Sequence, residues 1–208
     1  MTAAATHRGA VVVLLAAGEG RRYGGAKQLA EIGGEPMVRR AAKIALGAGA
    51  PLQAVTGAHA EAVEAALAGL PLHVVRHAGW HEGMGSSLAA GIREVQRRWP
   101  GASGALVCLA DQPLLETAML DRLLARHRDA PEAILATDLG DAAGPPALFP
   151  RDCFDTLARG SGARGAQALL RQQAARVETF AFGALPDVDT PADLQRVRQL
   201  LGAARRYE

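Results

Sequence analysis

The chain has 208 residues, 49% of them hydrophobic but only 4% aromatic. That length suits one domain, expected over 1–208 with its core at about 10–201, and is enough to bury a core of Ala, Leu and Val. A formal net charge of +2 gives no electrostatic footprint for nucleic acid, and Arg205 with Arg206 reads as solvated.

Cys108 and Cys153 are too few for a disulfide framework and point to a reducing compartment. No apolar run approaches the roughly 20 residues of a membrane span. Residues 1–9 lack the apolar segment of a signal peptide, so the expected location is cytoplasmic.

Val11 to Ala17 is a continuous apolar run, the pattern of a strand buried on both faces. It breaks into Gly18, Gly20, Gly24 and Gly25, interleaved with Arg21, Arg22 and Lys27. Glycines let backbone N–H groups turn towards an anion and the cations neutralise it, so this stretch is expected to hold phosphates. Two better-known motifs are excluded. Lys27 stands between Ala26 and Gln28, so the Gly-Lys-Ser/Thr core of a Walker A loop is missing. Tyr23 occupies the place of the third glycine in a dinucleotide fingerprint.

Pro36 suits the first position of a helix, and apolar residues recur at helical spacing until Gly47 and Gly49. Gln53 to Gly57 reads as a strand, a helix follows over roughly 59–68, and Leu72 to Val75 reads as a third short strand. His73, His77 and His81 would align as ligands on a helix, but His73 falls in a strand and Gly79 and Gly83 disfavour a helix. They are expected to be ordinary surface or loop residues, with Trp80 in a packing role. Gly83 and Gly85 predict a flexible loop, and Ser86 or Ser87 a cap for the helix that runs to Trp99.

Ala105 to Ala110 is another buried strand, and it ends abruptly at Asp111. In open parallel sheets ligands gather at the carboxyl ends of strands, and Mg²⁺ is held by one or two carboxylates plus phosphate oxygens. Asp111 is therefore a candidate metal ligand, beside its plainer reading as a turn residue. A helix follows from about 116 to 128, then a strand over Ala133 to Thr137. Near the end, Thr190 or Asp189 is expected to cap a helix whose first turn holds Pro191 and Asp193, with Asp187 part of the turn before it. The alternation predicts an α/β, three-layer, Rossmann-like fold: a mostly parallel sheet with helices on both faces.

Leu15, Ala16, Ala17, Gly18, Gly20, Arg22, Gly24, Lys27 and Leu29 carry the pattern L-A-A-G-x-G-x-R-x-G-x-x-K-x-L. It resembles the signature loop of the MobA-like nucleotidyltransferases, in the branch similar to molybdenum cofactor cytidylyltransferases. The resemblance continues in order through GMGSSL from Gly83, LADQP from Leu109 and DVDTP from Asp187. It is weaker between Leu139 and Gln173, where Pro145, Ala163 and Gln167 depart from the family pattern, as Ala26 does in the loop.

The resemblance implies the nucleotide-diphospho-sugar transferase-like form of the fold. It implies an Mg²⁺-dependent enzyme moving a nucleoside monophosphate, CMP from CTP, to a phosphorylated acceptor such as molybdopterin, with release of pyrophosphate. Ala17 and the Asp-Gln-Pro form lean to CTP over GTP. Implied partners are CTP or another NTP, the acceptor, and a molybdoenzyme or its chaperone, with neither nucleic acid nor membrane. Implied catalytic residues are Arg22, Lys27 and Asp111. Nucleotide binding falls to Leu15, Ala16, Ala17, Gly18, Gly20, Gly24, Gly85, Ser86 and Ser87, and metal binding to Asp111 and Asp189. Gly144 to Phe149 would form one wall of the acceptor pocket or a rigid turn entering a strand. A sugar-1-phosphate nucleotidyltransferase shares the loop and Asp111, and Ala163 with Pro145 keeps a non-catalytic nucleotide-binding module as a further alternative.

Overall fold

A computed structural model describes residues 7–162 and 165–204. Ala163, Arg164, Arg205 and Arg206 lie outside the described residues. The strands are β1 (Ala10–Ala16), β2 (Glu31–Ile32), β3 (Glu35–Pro36), β4 (Leu52–Thr56), β5 (His73–Arg76), β6 (Gly104–Leu109), β7 (Ile134–Asp138), β8 (Ala143–Pro150) and β9 (Val177–Phe180). The helices are α1 (Met37–Gly47), α2 (Ala60–Leu67), α3 (Met84–Arg98), α4 (Thr117–Asp129), α5 (Phe154–Ala158), α6 (Gln167–Gln172) and α7 (Pro191–Ala204).

Seven strands form one sheet in the order β5-β4-β1-β6-β8-β7-β9. β5, β4, β1 and β6 run parallel, as continuous apolar strands flanked by helices should. β8 runs antiparallel to both β6 and β7, and β9 is parallel to β7. Gly144 to Phe149 is thus the interior of a central strand.

Alternate residues of β1 feed two cores. Val12 and Leu14 pack with α1, α2 and α4 through residues such as Val38, Val63 and Leu120. Val11, Val13 and Leu15 pack with α3, α5 and α6 through residues such as Ile92, Phe154 and Leu170. Each such side chain taken fully from water contributes about 1.5–3 kcal/mol, which is why the sheet needs cover on both sides. α3 lies close on it, since a Cβ at Gly91 would stand 2.9 Å from Val13. A third, small cluster joins Ile32 and Met37 to Val188, Leu194 and Val197, docking α7 beside the β2–β3 hairpin. Among the described residues no helix is long and apolar enough to cross a membrane.

Two local expectations are corrected. Pro36 does not begin α1; its ψ of 138° keeps it extended and paired with Glu31, so the helix starts at Met37. Neither Ser86 nor Ser87 caps α3. Gly83, at φ 105°, takes the cap position, which puts both serines and Gly85 inside the first turns.

Candidate active site

β1 and β6 are neighbours, with Leu15 opposite Leu109, so the loops at their carboxyl ends emerge side by side. Between them opens a cleft of about 430 Å³. Leu15 and Ala16 line it from the end of β1, Ala17, Gly18, Gly20, Arg22 and Lys27 from the first loop, and Asp111 from the second. Ser87 and Met84 line it from α3, and Asp187 and Asp189 from the segment before α7.

The glycine loop closes on itself. The carbonyl of Gly20 accepts from the backbone N–H groups of Tyr23, Gly24 and Gly25, and Lys27 N–H donates to Gly25 O at 2.8 Å. Gly20 has φ 73°, and a Cβ there would lie 2.0 Å from Gly25 O. Only glycine fits that position. Gln28, buried to 2% exposure, donates Nε2 to Ala16 O at 3.2 Å and to Gly18 O at 2.5 Å, tying the end of the loop to its start.

Charge gathers at the mouth of this loop. Lys27 Nζ lies 2.6 Å from Asp111 Oδ2 and 2.8 Å from Asp189 Oδ1, and Arg22 Nη2 lies 2.7 Å from Asp189 Oδ2. Burial alone would lower the pKa of Lys27, but Asp111 and Asp189 outweigh it and hold the ammonium above its ordinary value. Asp189 is placed by its neighbours. Val188 N–H donates to Asp111 O at 2.9 Å, drawing the segment across the end of β6. Thr190 and Asp193 then cap α7 reciprocally, Thr190 N–H donating to Asp193 Oδ2 and Asp193 N–H to Thr190 Oγ1. With Thr190 as the cap, the carboxylate of Asp189 is left to the cleft.

Asp187 is not the plain turn residue expected. It lines the cleft, where burial, and then the charges of Asp111 and Asp189, push its carboxyl up to about 6. Asp111 Oδ1 is buried with no hydrogen-bond partner among the described residues. An orphaned carboxylate oxygen between acidic neighbours fits a hard divalent cation. Among the described residues no group of three His, Cys, Asp or Glu could hold a metal alone, so phosphate oxygens or waters would complete the shell.

The other expected residues are spread more widely. Gly24 sits in the loop, but no atom lies within 4 Å of where its Cβ would be. Ser86 is buried away from the cleft lining, donating Oγ to Gly79 O and Gly83 O, with His77 Nε2 at 3.1 Å. Gly85 holds the 160–162 segment: its N–H donates to Gly162 O, and a Cβ would meet Ser161 O at 2.5 Å. Trp80 and His81 line the cleft, while His73 pairs with Glu94 at 2.8 Å. Pro145 lines a smaller apolar cavity of about 50 Å³ with Met84, Leu88, Phe149 and Leu170; Leu15, Met84 and Leu109 border both spaces. Sequence reading missed Gln28, whose one signal was an amide beside the expected phosphate-binding lysine.

Nicotine blue oxidoreductase of Paenarthrobacter nicotinovorans is 33% identical over 196 residues, covering 90% of this chain and 93% of its own. Purine catabolism protein PucB of Bacillus subtilis is 34% identical over 134 residues, so the chain spans 62% of PucB's length, by 62% of its own. In structure the chain is similar to Rv0371c of Mycobacterium tuberculosis, with TM-score 0.79, 32% identity, and 91% and 96% of the two chains covered. Rv0371c has also been solved in complex with manganese. The expected nucleotide-diphospho-sugar transferase-like fold is met by this likeness. The MobA-like NTP transferase domain matches residues 12–177, a span that begins in β1, takes in the glycine loop and Asp111, and ends at the start of β9. On that match the chain belongs to the MobA-like NTP transferase family.

Proposed function

We propose that the protein is a divalent-metal-dependent nucleotidyltransferase that moves CMP from CTP to a phosphorylated acceptor, molybdopterin or a close relative of it, with release of pyrophosphate in the cytoplasm. The observation that carries the reading is the arrangement at the loop mouth: Lys27 between two carboxylates, with Asp111 Oδ1 buried and unpartnered.

An acceptor phosphate is already ionised near neutral pH, so the site needs no strong general base. Alignment and charge neutralisation suffice, as is usual for transfer at phosphorus. Of the Gly18 to Gly25 loop, the backbone from Gly18 to Arg22 lines the cleft and would cradle the β- and γ-phosphates, while the N–H groups of Tyr23, Gly24 and Gly25 close the turn on Gly20 O. Arg22, whose side chain is 74% exposed, reaches from the loop to stabilise pyrophosphate as it forms. Lys27 holds the α-phosphate or the incoming phosphate. Asp111 and Asp189 would hold a divalent cation, Mg²⁺ in this reading, which would supply positive charge at the phosphate oxygens. Manganese in Rv0371c supports an ion of that class. Ser87 from α3 and the backbone at Ala17 flank the space beyond the phosphates, and Ala17 favours CTP. The apolar cavity around Pro145 adjoins the cleft and suits the body of the acceptor. A molybdoenzyme or its chaperone would take the product.

Calorimetry with CTP, GTP, ATP and UTP, with and without Mg²⁺, followed by pyrophosphate release with molybdopterin, tests this. CTP with Mg²⁺ should bind most tightly and turn over. Pyrophosphate release with sugar 1-phosphates but not molybdopterin would move the acceptor. Nucleotide binding without any turnover would make the protein a binding module.

A further inference from the structure

Lys27 stands where a cation held by the two carboxylates would stand. Its Nζ lies 2.6 Å from Asp111 Oδ2 and 2.8 Å from Asp189 Oδ1, and Arg22 takes the second oxygen of Asp189. Of the four carboxylate oxygens, Asp111 Oδ1 alone has no hydrogen-bonding or ion-pair partner among the described residues. Mg²⁺ and similar ions sit about 2.0–2.6 Å from carboxylate oxygen. An ion on those oxygens and an ammonium in direct contact with them would bring three positive charges within a few ångströms. In a cleft only partly open to water that repulsion is large. Both cannot keep the same oxygens.

The local structure lets one of them leave. Gln28 pins the backbone next to Lys27 through its two carbonyl contacts, so the loop itself is held. The Lys27 side chain, 12% exposed, borders the open cleft on a flexible four-carbon stem. Exchange therefore needs a change of rotamer and no refolding of the loop.

The geometry points to Lys27 as a built-in stand-in for the divalent cation. It holds Asp111 and Asp189 together in the nucleotide-free protein and yields them when nucleotide phosphates draw its ammonium away. This rests on the reading of Asp111 and Asp189 as metal ligands and adds an order to it: the metal alone binds weakly, and nucleotide and metal strengthen each other's binding by the same factor. Lys27 is then a positioning residue before it is a catalytic one.

Mn²⁺ is the probe, measured as free ion by electron paramagnetic resonance with no nucleotide present. Lys27→Met keeps the stem and removes the charge, and should bind Mn²⁺ at least about tenfold more tightly than the unaltered protein. Lys27→Arg should stay weak, and adding Asp111→Asn to Lys27→Met should abolish the gain. Mn²⁺ should raise the Tm of Lys27→Met more than that of the unaltered protein. Should Lys27→Met fail to fold, Lys27→Gln carries the same measurement. CTP should tighten Mn²⁺ binding in the unaltered protein and do so much less in the variant. The inference is overturned if removing the charge leaves Mn²⁺ affinity unchanged or lower, or if the gain survives Asp111→Asn. A protein that turns over CTP with Mn²⁺ while Lys27→Met gains nothing sinks the stand-in and leaves the proposed function. A gain in Lys27→Met with no turnover of any nucleotide does the reverse.

Discussion

The charged wall of the cleft and the small cavity that adjoins it are built on different principles. The wall at the ends of β1 and β6 is electrostatic: Lys27 and Arg22 in direct ion pairs with Asp111 and Asp189, Asp187 beside them, the Arg21–Glu19 pair on the same loop, and a turn that admits only glycine at position 20. The smaller cavity beside it, bounded by β8, α6 and the start of α3, is apolar, lined by Pro145, Phe149, Leu170 and Met84. Met84 and Leu139, two of the exposed large hydrophobic residues, lie on that side; Leu139 Cδ1 would be 2.6 Å from a Cβ at Gly144. On the proposed function, such a charged wall would grip any triphosphate, because phosphates are common to all of them. Choice of acceptor, on the same reading, would then rest on shape and apolar contact at the adjoining cavity.

The sharpest way to break that contrast is Asp111→Ala. It should lower pyrophosphate release by about 10³-fold or more, since both the ion pair with Lys27 and the orphaned oxygen go. Thermal unfolding should show the fold intact, and acceptor binding by calorimetry should persist. An Asp111→Ala protein that releases pyrophosphate at the unaltered rate removes the electrostatic wall from catalysis.

Two glycines give a matched pair with smaller effects. In Gly20→Ala the new Cβ would meet Gly25 O at 2.0 Å in a backbone of φ 73°, so the loop must open. The expected cost is about 1–3 kcal/mol of stability, with weaker binding of every nucleotide. In Gly85→Ala the Cβ would meet Ser161 O at 2.5 Å, displacing the 160–162 segment on the apolar side. There the KM for the acceptor should rise several-fold while CTP affinity holds. If both variants lose nucleotide equally, the cleft and the adjoining cavity do not act separately.

How much of this was legible follows from what each feature depends on. The parallel half was readable because β1 and β6 are unbroken apolar runs, and the loop because glycine and cation together have few other uses. The antiparallel β8 was not, since a strand's direction lies in its connections and not in its residues. Ser86 and Ser87 looked like caps because serine caps well, but Gly83 at positive φ starts the helix earlier, and that is a property of the backbone. The DVDTP resemblance singled out Asp189 and left Asp187 as a turn residue. The bond from Val188 to Asp111 O, which draws the segment across the end of β6, brings Asp187 into the cleft as well.

Asp187 offers the finest test of the charged wall, because it is the carboxylate there with no cation in direct contact among the described residues. Its pKa rises from 3.8 to about 6 on folding, first through burial and then through Asp111 and Asp189. The folded state therefore binds more protons than the unfolded state between those values, and stability falls as pH rises through that window. Above about 6 the ionised carboxylate imposes its whole cost; below 3.8 it imposes none. Such a rise corresponds to at most about 3 kcal/mol, and partial exposure and screening reduce it to about 1–2. Asp187→Asn should thus be more stable than the unaltered protein at pH 7 in chelator by that amount, measured by denaturant unfolding. The advantage should shrink as pH falls towards 4. CTP with Mg²⁺ should narrow it at pH 7, because a cation on Asp111 and Asp189 would favour the ionised form of the carboxylate beside them. An advantage that is the same at pH 4 and pH 7 would mean that Asp187 acts through shape and that the wall is less electrostatic than its geometry makes it.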